Sequence, residues 1–171
     1  MTRHSYTRSF HRGLRIKYVA RTILILVLLV GTNDSFSSGT NTKSDSLRAL
    51  LMVATDTTKV NVLNALGKQF WMSQPDTSRR YTFIALDVSK KINYRKGEAE
   101  ALRITAWSYH YEGDEVQAKA YVTKAISIFE QIGNEQGLAA ALNNLGAISN
   151  RLGDYAEGMQ ALQRSLSLFK N

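Results

Sequence analysis

The chain has 171 residues and carries 22 Lys plus Arg against 14 Asp plus Glu, a formal charge of +8, with one proline and no cysteine. A chain of this length makes about one domain. The missing cysteines exclude disulfides, thiolate metal sites, cysteine nucleophiles and an acylated lipoprotein anchor. Of the three histidines, His4 and His11 lie at the extreme N-terminus, which leaves little for a histidine-based metal or acid–base site.

Charge is unevenly placed. Residues 1–21 hold Arg3, Arg8, Arg12, Arg15, Lys17 and Arg21 and no acid, whereas from Ser38 onward 16 bases face 13 acids. The overall basicity therefore belongs mostly to a leader, and nucleic acid is not an expected partner. An apolar run from Ile23 to Val30 follows, and then the small, polar stretch Thr32–Gly39. This order is that of a secretory signal, with Ser35 and Ser37 as the small residues before a cut after Ser37. The run is short of the roughly 20 residues of a spanning helix. Residues 1–37 are therefore expected to be a signal peptide, and the alternative is an uncleaved anchor. The expected location is periplasmic or cell-envelope, or, if the anchor stays, the inner membrane with the body facing outward.

Residues 38–57 read as a linker and a capping helix at about 44–55. Beyond them the chain repeats itself. Shifting 97–131 by 40 places gives identities at Gly97/Gly137, Ala99/Ala139, Ala101/Ala141, Leu102/Leu142, Gly113/Gly153, Asp114/Asp154, Ser127/Ser167 and Phe129/Phe169. A weaker copy precedes them, with Val62, Tyr81, Ala85, Leu86 and Ile92 in register with Leu102, Tyr121, Ala125, Ile126 and Ile132. The units are 58–96, 97–136 and 137–171.

Each unit reads as two helices. In the last, Leu138, Leu142, Leu145 and Ile148 form one stripe, and Tyr155, Met159, Leu162, Leu166 and Phe169 form the next, at helical spacing. Gly153 stops the first helix and Asp154 caps the second. Gly113-Asp114 does the same in the middle unit. In the first, Pro75 is expected to stop the first helix and Asp76 to cap the second. Gly133–Gly137 is a connector.

The segment from Leu142 through Leu145-Gly146 and Ser149 to Gly153-Asp154-Tyr155, with small residues at Gly158 and Ser165, resembles the tetratricopeptide repeat. Leu102, Ala106, Tyr109, Gly113-Asp114, Ala118 and Ala125 match the same positions. Departures are Leu66, where a small residue is expected, and Ser78 and Ser165 in place of alanine. The resemblance implies an all-α, antiparallel helix-pair solenoid of about 2.5–3 repeats behind an N-terminal capping helix. It also implies a concave groove, lined by the first helices, that takes a peptide or protein partner. The groove positions would be Leu63, Gly67, Phe70 and Trp71, then Arg103, Trp107, His110 and Tyr111, then Asn143, Asn144, Ala147, Asn150 and Arg151. The binding residues expected from this set are Phe70, Trp71, Arg103, Trp107, His110, Tyr111, Asn143, Asn144 and Asn150. Arg and Trp are common interface anchors, and Asn can satisfy peptide backbone groups.

The order of signal, short helix, Asp56-Thr57-Thr58-Lys59-Val60-Asn61 and repeats also resembles the front of exported, repeat-bearing bacterial sensor proteins. The alternative function is thus the sensory arm of a membrane signalling protein, of histidine kinase or transcription-regulator type. No phosphate loop, dinucleotide fingerprint, nucleophile elbow or His-Glu-x-x-His is present. No catalysis, cofactor or metal is expected. Glu98 and Glu100 read as acids near a helix N-terminus. Self-association through the apolar face of the last repeat is a further expectation.

Overall fold

A computed structural model describes residues 41–168; the leader and its cleavage site lie outside them. The described residues form seven helices: α1 (Asn41–Val53), α2 (Asp56–Phe70), α3 (Pro75–Lys91), α4 (Arg95–Glu112), α5 (Glu115–Gln131), α6 (Glu135–Leu152) and α7 (Tyr155–Leu168). The last six form three hairpins, α2–α3, α4–α5 and α6–α7, and α1 packs on α2. The backbones of the first helices of successive hairpins approach closely, α2 on α4 and α4 on α6, whereas the second helices α3, α5 and α7 stand further apart and meet only through long side chains. The first helices therefore make the inner layer of a solenoid, and the second helices splay outside it.

The turns obey local chemistry. Gly113 and Gly153 close their helices at φ of 90° and 84°, a left-handed conformation that costs an L side chain roughly a kcal/mol or more. Asp114 then accepts from the Gln117 amide at 3.0 Å, and Asn134 caps α6 through the Gly137 amide at 2.7 Å. The first hairpin differs from expectation. Pro75 opens α3 instead of ending α2, and Asp76 pairs with Arg79 within the first turn instead of capping. A missing amide at the first helical position costs nothing, which explains the proline.

The hairpins close on small residues. A methyl added at Gly146 would lie 3.2 Å from the Gly158 carbonyl oxygen, and one at Gly67 would lie 3.5 Å from that of Ser78. Gly67, not Leu66, is thus the small position of the first unit. Its turn is one residue shorter (67 to 78, against 146 to 158), so α2 is in register with α4 after a shift of 39. Leu66 is instead fully buried in the core. The serines that replace alanine are bonded across these contacts, Ser78 Oγ to the Gly67 carbonyl and Ser165 Oγ to that of Ala139, each at 2.8 Å. A buried hydroxyl with a partner carries no desolvation penalty.

The core has two parts. Leu102, Val122, Phe129, Leu142 and Ile148 weld the second and third hairpins, while Val60, Leu63, Ala85 and Ala101 weld the first to the second. Burying each of the larger of these side chains, Val, Leu, Ile and Phe, is worth about 1.5–3 kcal/mol.

Candidate functional site: the inner face of the first helices

The inner face carries two features, one at each end of the first helices. At the C-terminal ends of α2 and α4, four of the expected residues meet. Trp107 stacks on His110 with ring centroids 4.7 Å apart and meets Tyr111 edge-on at 5.8 Å, and Trp71 lies 6.0 Å from Trp107. Positions 107, 110 and 111 share one face because they lie three and four apart on a helix. Tyr111 is 42% exposed, and the other three rings are half-buried.

A hydrogen bond to Glu115 fixes His110. Its Nδ1 lies 2.7 Å from Glu115 Oε2, and Arg151 Nε lies 3.0 Å from Glu115 Oε1. Arg151 also donates to the His110 carbonyl at 3.2 Å. The buried Glu115 thus joins the edge of the ring cluster to α6.

At the N-terminal ends of α4 and α6 lies a cavity of about 340 Å³, lined by Asn61, Lys68, Lys96, Glu100, Arg103 and Gln136, with Tyr94 and Phe129 among its walls. Arg103 is 7% exposed and grips Glu100 with two bonds, Nε at 3.0 Å and Nη2 at 2.6 Å. That fork answers the guanidinium charge locally. Lys68 and Lys96 are exposed and make no ion pair among the described residues.

The remaining expected positions scatter. The register shift turns Leu63 and Gly67 inward, Leu63 into the core and Gly67 against Thr82 of α3. Phe70 stacks on Tyr81 of α3 at 6.1 Å, as Tyr109 stacks on Tyr121 at 5.4 Å one unit later. Phe70 therefore packs within its own hairpin and stands outside the ring cluster. Asn143 and Asn150 are exposed on α6, with the Asn150 carboxamide against Gly158. Asn144 is 5% exposed, and its Nδ2 has no partner among the described residues. Sequence reasoning missed Lys68, Lys96 and Glu100. Aligning α2 by 39 residues instead of 40 brings Lys68 to the place of Trp107 and would have found it.

Among the described residues no three His, Asp or Glu side chains stand close enough to hold a metal ion, and no helix is long and apolar enough to cross a membrane.

No protein-family model matches the sequence, and no curated protein matches it. The fold does have solved counterparts. The crystal structure of the TPR domain of Arabidopsis FLU superposes with a TM-score of 0.61 at 18% identity, covering 68% of this chain and 98% of that one. The described residues are a tetratricopeptide-type helical repeat, an all-α solenoid of paired helices.

Proposed function

We propose that this chain is an exported protein-interaction module that holds a peptide or protein segment on the inner face of its first helices. The observation that carries the reading is the cluster of Trp71, Trp107, His110 and Tyr111. These large rings are only partly buried in the repeat itself, and they line the layer where successive first helices meet. Rings of this kind supply much contact area at little entropic cost. The exposed Asn143 amide on the next helix could bond an extended backbone. Export is supported by the basic stretch and apolar run of residues 1–30.

A photo-crosslinking amino acid at position 107, expressed in the source cell, tests the groove. The expected result is a discrete adduct that is absent when the same group replaces the outward Val116, which is 70% exposed on α5. Identical adducts from both positions, or none from 107, would sink the reading. Blotting the soluble exported and membrane fractions tests export. A soluble exported band below 19.1 kDa is expected, and a band confined to the cytoplasm overturns export. A much larger membrane band would favour the sensory-arm reading, which rests on the Asp56–Asn61 segment that opens α2.

A further inference from the structure

The repeat allows the outer faces of the two unit junctions to be compared position by position. Lys90 on α3 corresponds to Glu130 on α5, and Lys124 on α5 to Arg164 on α7, each by a shift of 40. At the second junction the two residues form an ion pair of 2.7 Å that bridges α5 and α7 on the outside. At the first junction both positions are lysine. Neither makes an ion pair among the described residues, and Lys124 only leans over the Tyr121 ring at 5.5 Å. Most other cations nearby are committed: Lys91 to Asp87 at 2.6 Å, Arg95 to Glu98 at 2.6 Å, and Arg79 to Glu112 at 2.6 Å.

Between these lysines the splay of α3 from α5 leaves a cleft of about 470 Å³, with α4 as its floor. Its walls are Phe83, Leu86, Leu102, Tyr121 and Ile128, and Glu98, the acid among them, is the one already held by Arg95. Phe83 is 42% exposed and its neighbour Ile84 48% exposed; the counterpart of Phe83 at the second junction is Thr123. The Phe83 and Tyr121 rings face each other across the cleft at 6.3 Å, Ser127 adds a polar wall, and a cleft rimmed by two like charges that make no ion pair among the described residues lacks its complement.

We propose that this outer cleft docks an acidic segment of a partner protein. An aromatic or branched side chain of the segment fills the slot beside Phe83 and Tyr121, and a carboxylate lies between Lys90 and Lys124. The occupant is a different protein because its acids must complement the Lys90–Lys124 rim, whereas residues 38–171 of this chain carry more bases (16) than acids (13). Its basic leader has the wrong sign for the rim. The site is separate from the inner face, which the first helices form.

The test uses fluorescence anisotropy with a short labelled peptide, one Phe flanked by Asp and Glu. Two control peptides carry Asn and Gln for the acids, or Ala for the Phe. Saturable binding of the acidic peptide is expected, about tenfold tighter than either control and weakened by salt. K90E/K124E should weaken it by about tenfold or more, and the milder K90Q/K124Q should weaken it less. W107A on the inner face should leave it unchanged. Circular dichroism confirms that each variant is folded. Absence of saturable binding, equal binding of the neutral peptide, or indifference to both lysine variants would overturn the proposal. Loss in W107A alone would also overturn it by placing the peptide on the inner face.

Discussion

The two junctions between repeats share a backbone and differ in what fills them. At the second, the Phe129 ring projects from α5 over Gly137, where any added methyl would meet it. At the first, the position of Phe129 is Ser89, and the ring comes instead from Tyr94 in the connector, which covers Gly97 and donates to Asn61 Oδ1 at 3.2 Å. Outside, the second junction is clasped by Glu130 and Arg164, while the first carries Lys90 and Lys124. One junction carries an outer ion pair, and the other has in its place a Phe83–Tyr121 ring contact and a charged cleft. A repeat fixes where side chains stand but not which task each junction performs, so function in a solenoid is legible as departure from the repeat.

The largest expected effect tests the inside of that comparison. Phe129 is 2% exposed and lies in the main core, so Phe129→Ala should cost about 3–5 kcal/mol in urea unfolding. Ser89→Ala at the corresponding position should be neutral or stabilising by up to about 1 kcal/mol, because the fully buried Ser89 hydroxyl has no partner among the described residues. A loss above about 1 kcal/mol for Ser89→Ala would show that the first junction depends on that hydroxyl.

Next in size are the glycines beneath the rings. A methyl at Gly137 would lie 2.8 Å from Phe129 Cζ, so Gly137→Ala should cost about 1–3 kcal/mol despite the better helix propensity of alanine. In a Phe129→Ala background the same change should cost nothing or help slightly, and the double-mutant cycle reads this coupling directly. Additivity of the two changes would mean that ring and glycine do not share one space. At Gly97 the methyl would meet the Tyr94 ring at 2.5 Å and Val60 Cγ1 at 2.6 Å, so Gly97→Ala should cost at least as much.

These contrasts bear on what could be read before the fold was known. The hairpins were legible because Gly113-Asp114 and Gly153-Asp154 combine a left-handed stop with the start of the next helix, and each leaves a sequence mark. The first hairpin was misaligned because its turn is one residue shorter. A shortened turn leaves no mark of its own, and only the meeting of Gly67 with Ser78 reveals it. The aromatic cluster was legible because Trp107, His110 and Tyr111 lie on one helical face. Arg103 was expected as a groove residue, and its bidentate hold on Glu100 was not legible, since an i,i+3 pair on a helix can equally point into water. The outer cleft had its signal in plain view, Lys90 and Lys124 against Glu130 and Arg164 at the 40-residue shift. Apolar identities carry a repeat alignment, and charge reversals are passed over as surface noise.

A pH series sharpens the comparison at the hairpin ends. Lys119, in register with Arg79, reaches Glu157 at 2.6 Å and Asp154 at 3.0 Å. The bonds from Lys119 and then from Ser149 Oγ, also at 2.6 Å, hold the Glu157 carboxyl below its ordinary value of 4.5. Its contribution to stability is therefore complete above that ordinary value and is lost as pH falls through the depressed one. Wild type should exceed Glu157→Gln by a constant margin between about pH 6 and 8, and the margin should close in acid. A margin that persists at low pH would assign the effect to packing of the side chain instead of its charge.

The smallest expected change returns to the outer clasp. Exposed ion pairs are worth about 0.2–1 kcal/mol. Lys90→Glu recreates at the first junction the acid–base pairing of the second, so it should raise stability by a few tenths of a kcal/mol while abolishing capture of the acidic peptide. Glu130→Lys makes the second junction resemble the first and should lower stability by about the same amount. It should gain little affinity for that peptide, because Thr123 and Ala161 stand where the first junction has Phe83 and Tyr121, so both rings of the cleft are missing. Opposite signs for these two exposed substitutions, read as shifts in urea midpoint, would confirm that the junctions differ by a clasp. Equal losses in both would mean that Lys90 already has a stabilising role where it stands, and the slot would then be occupied by the chain's own packing.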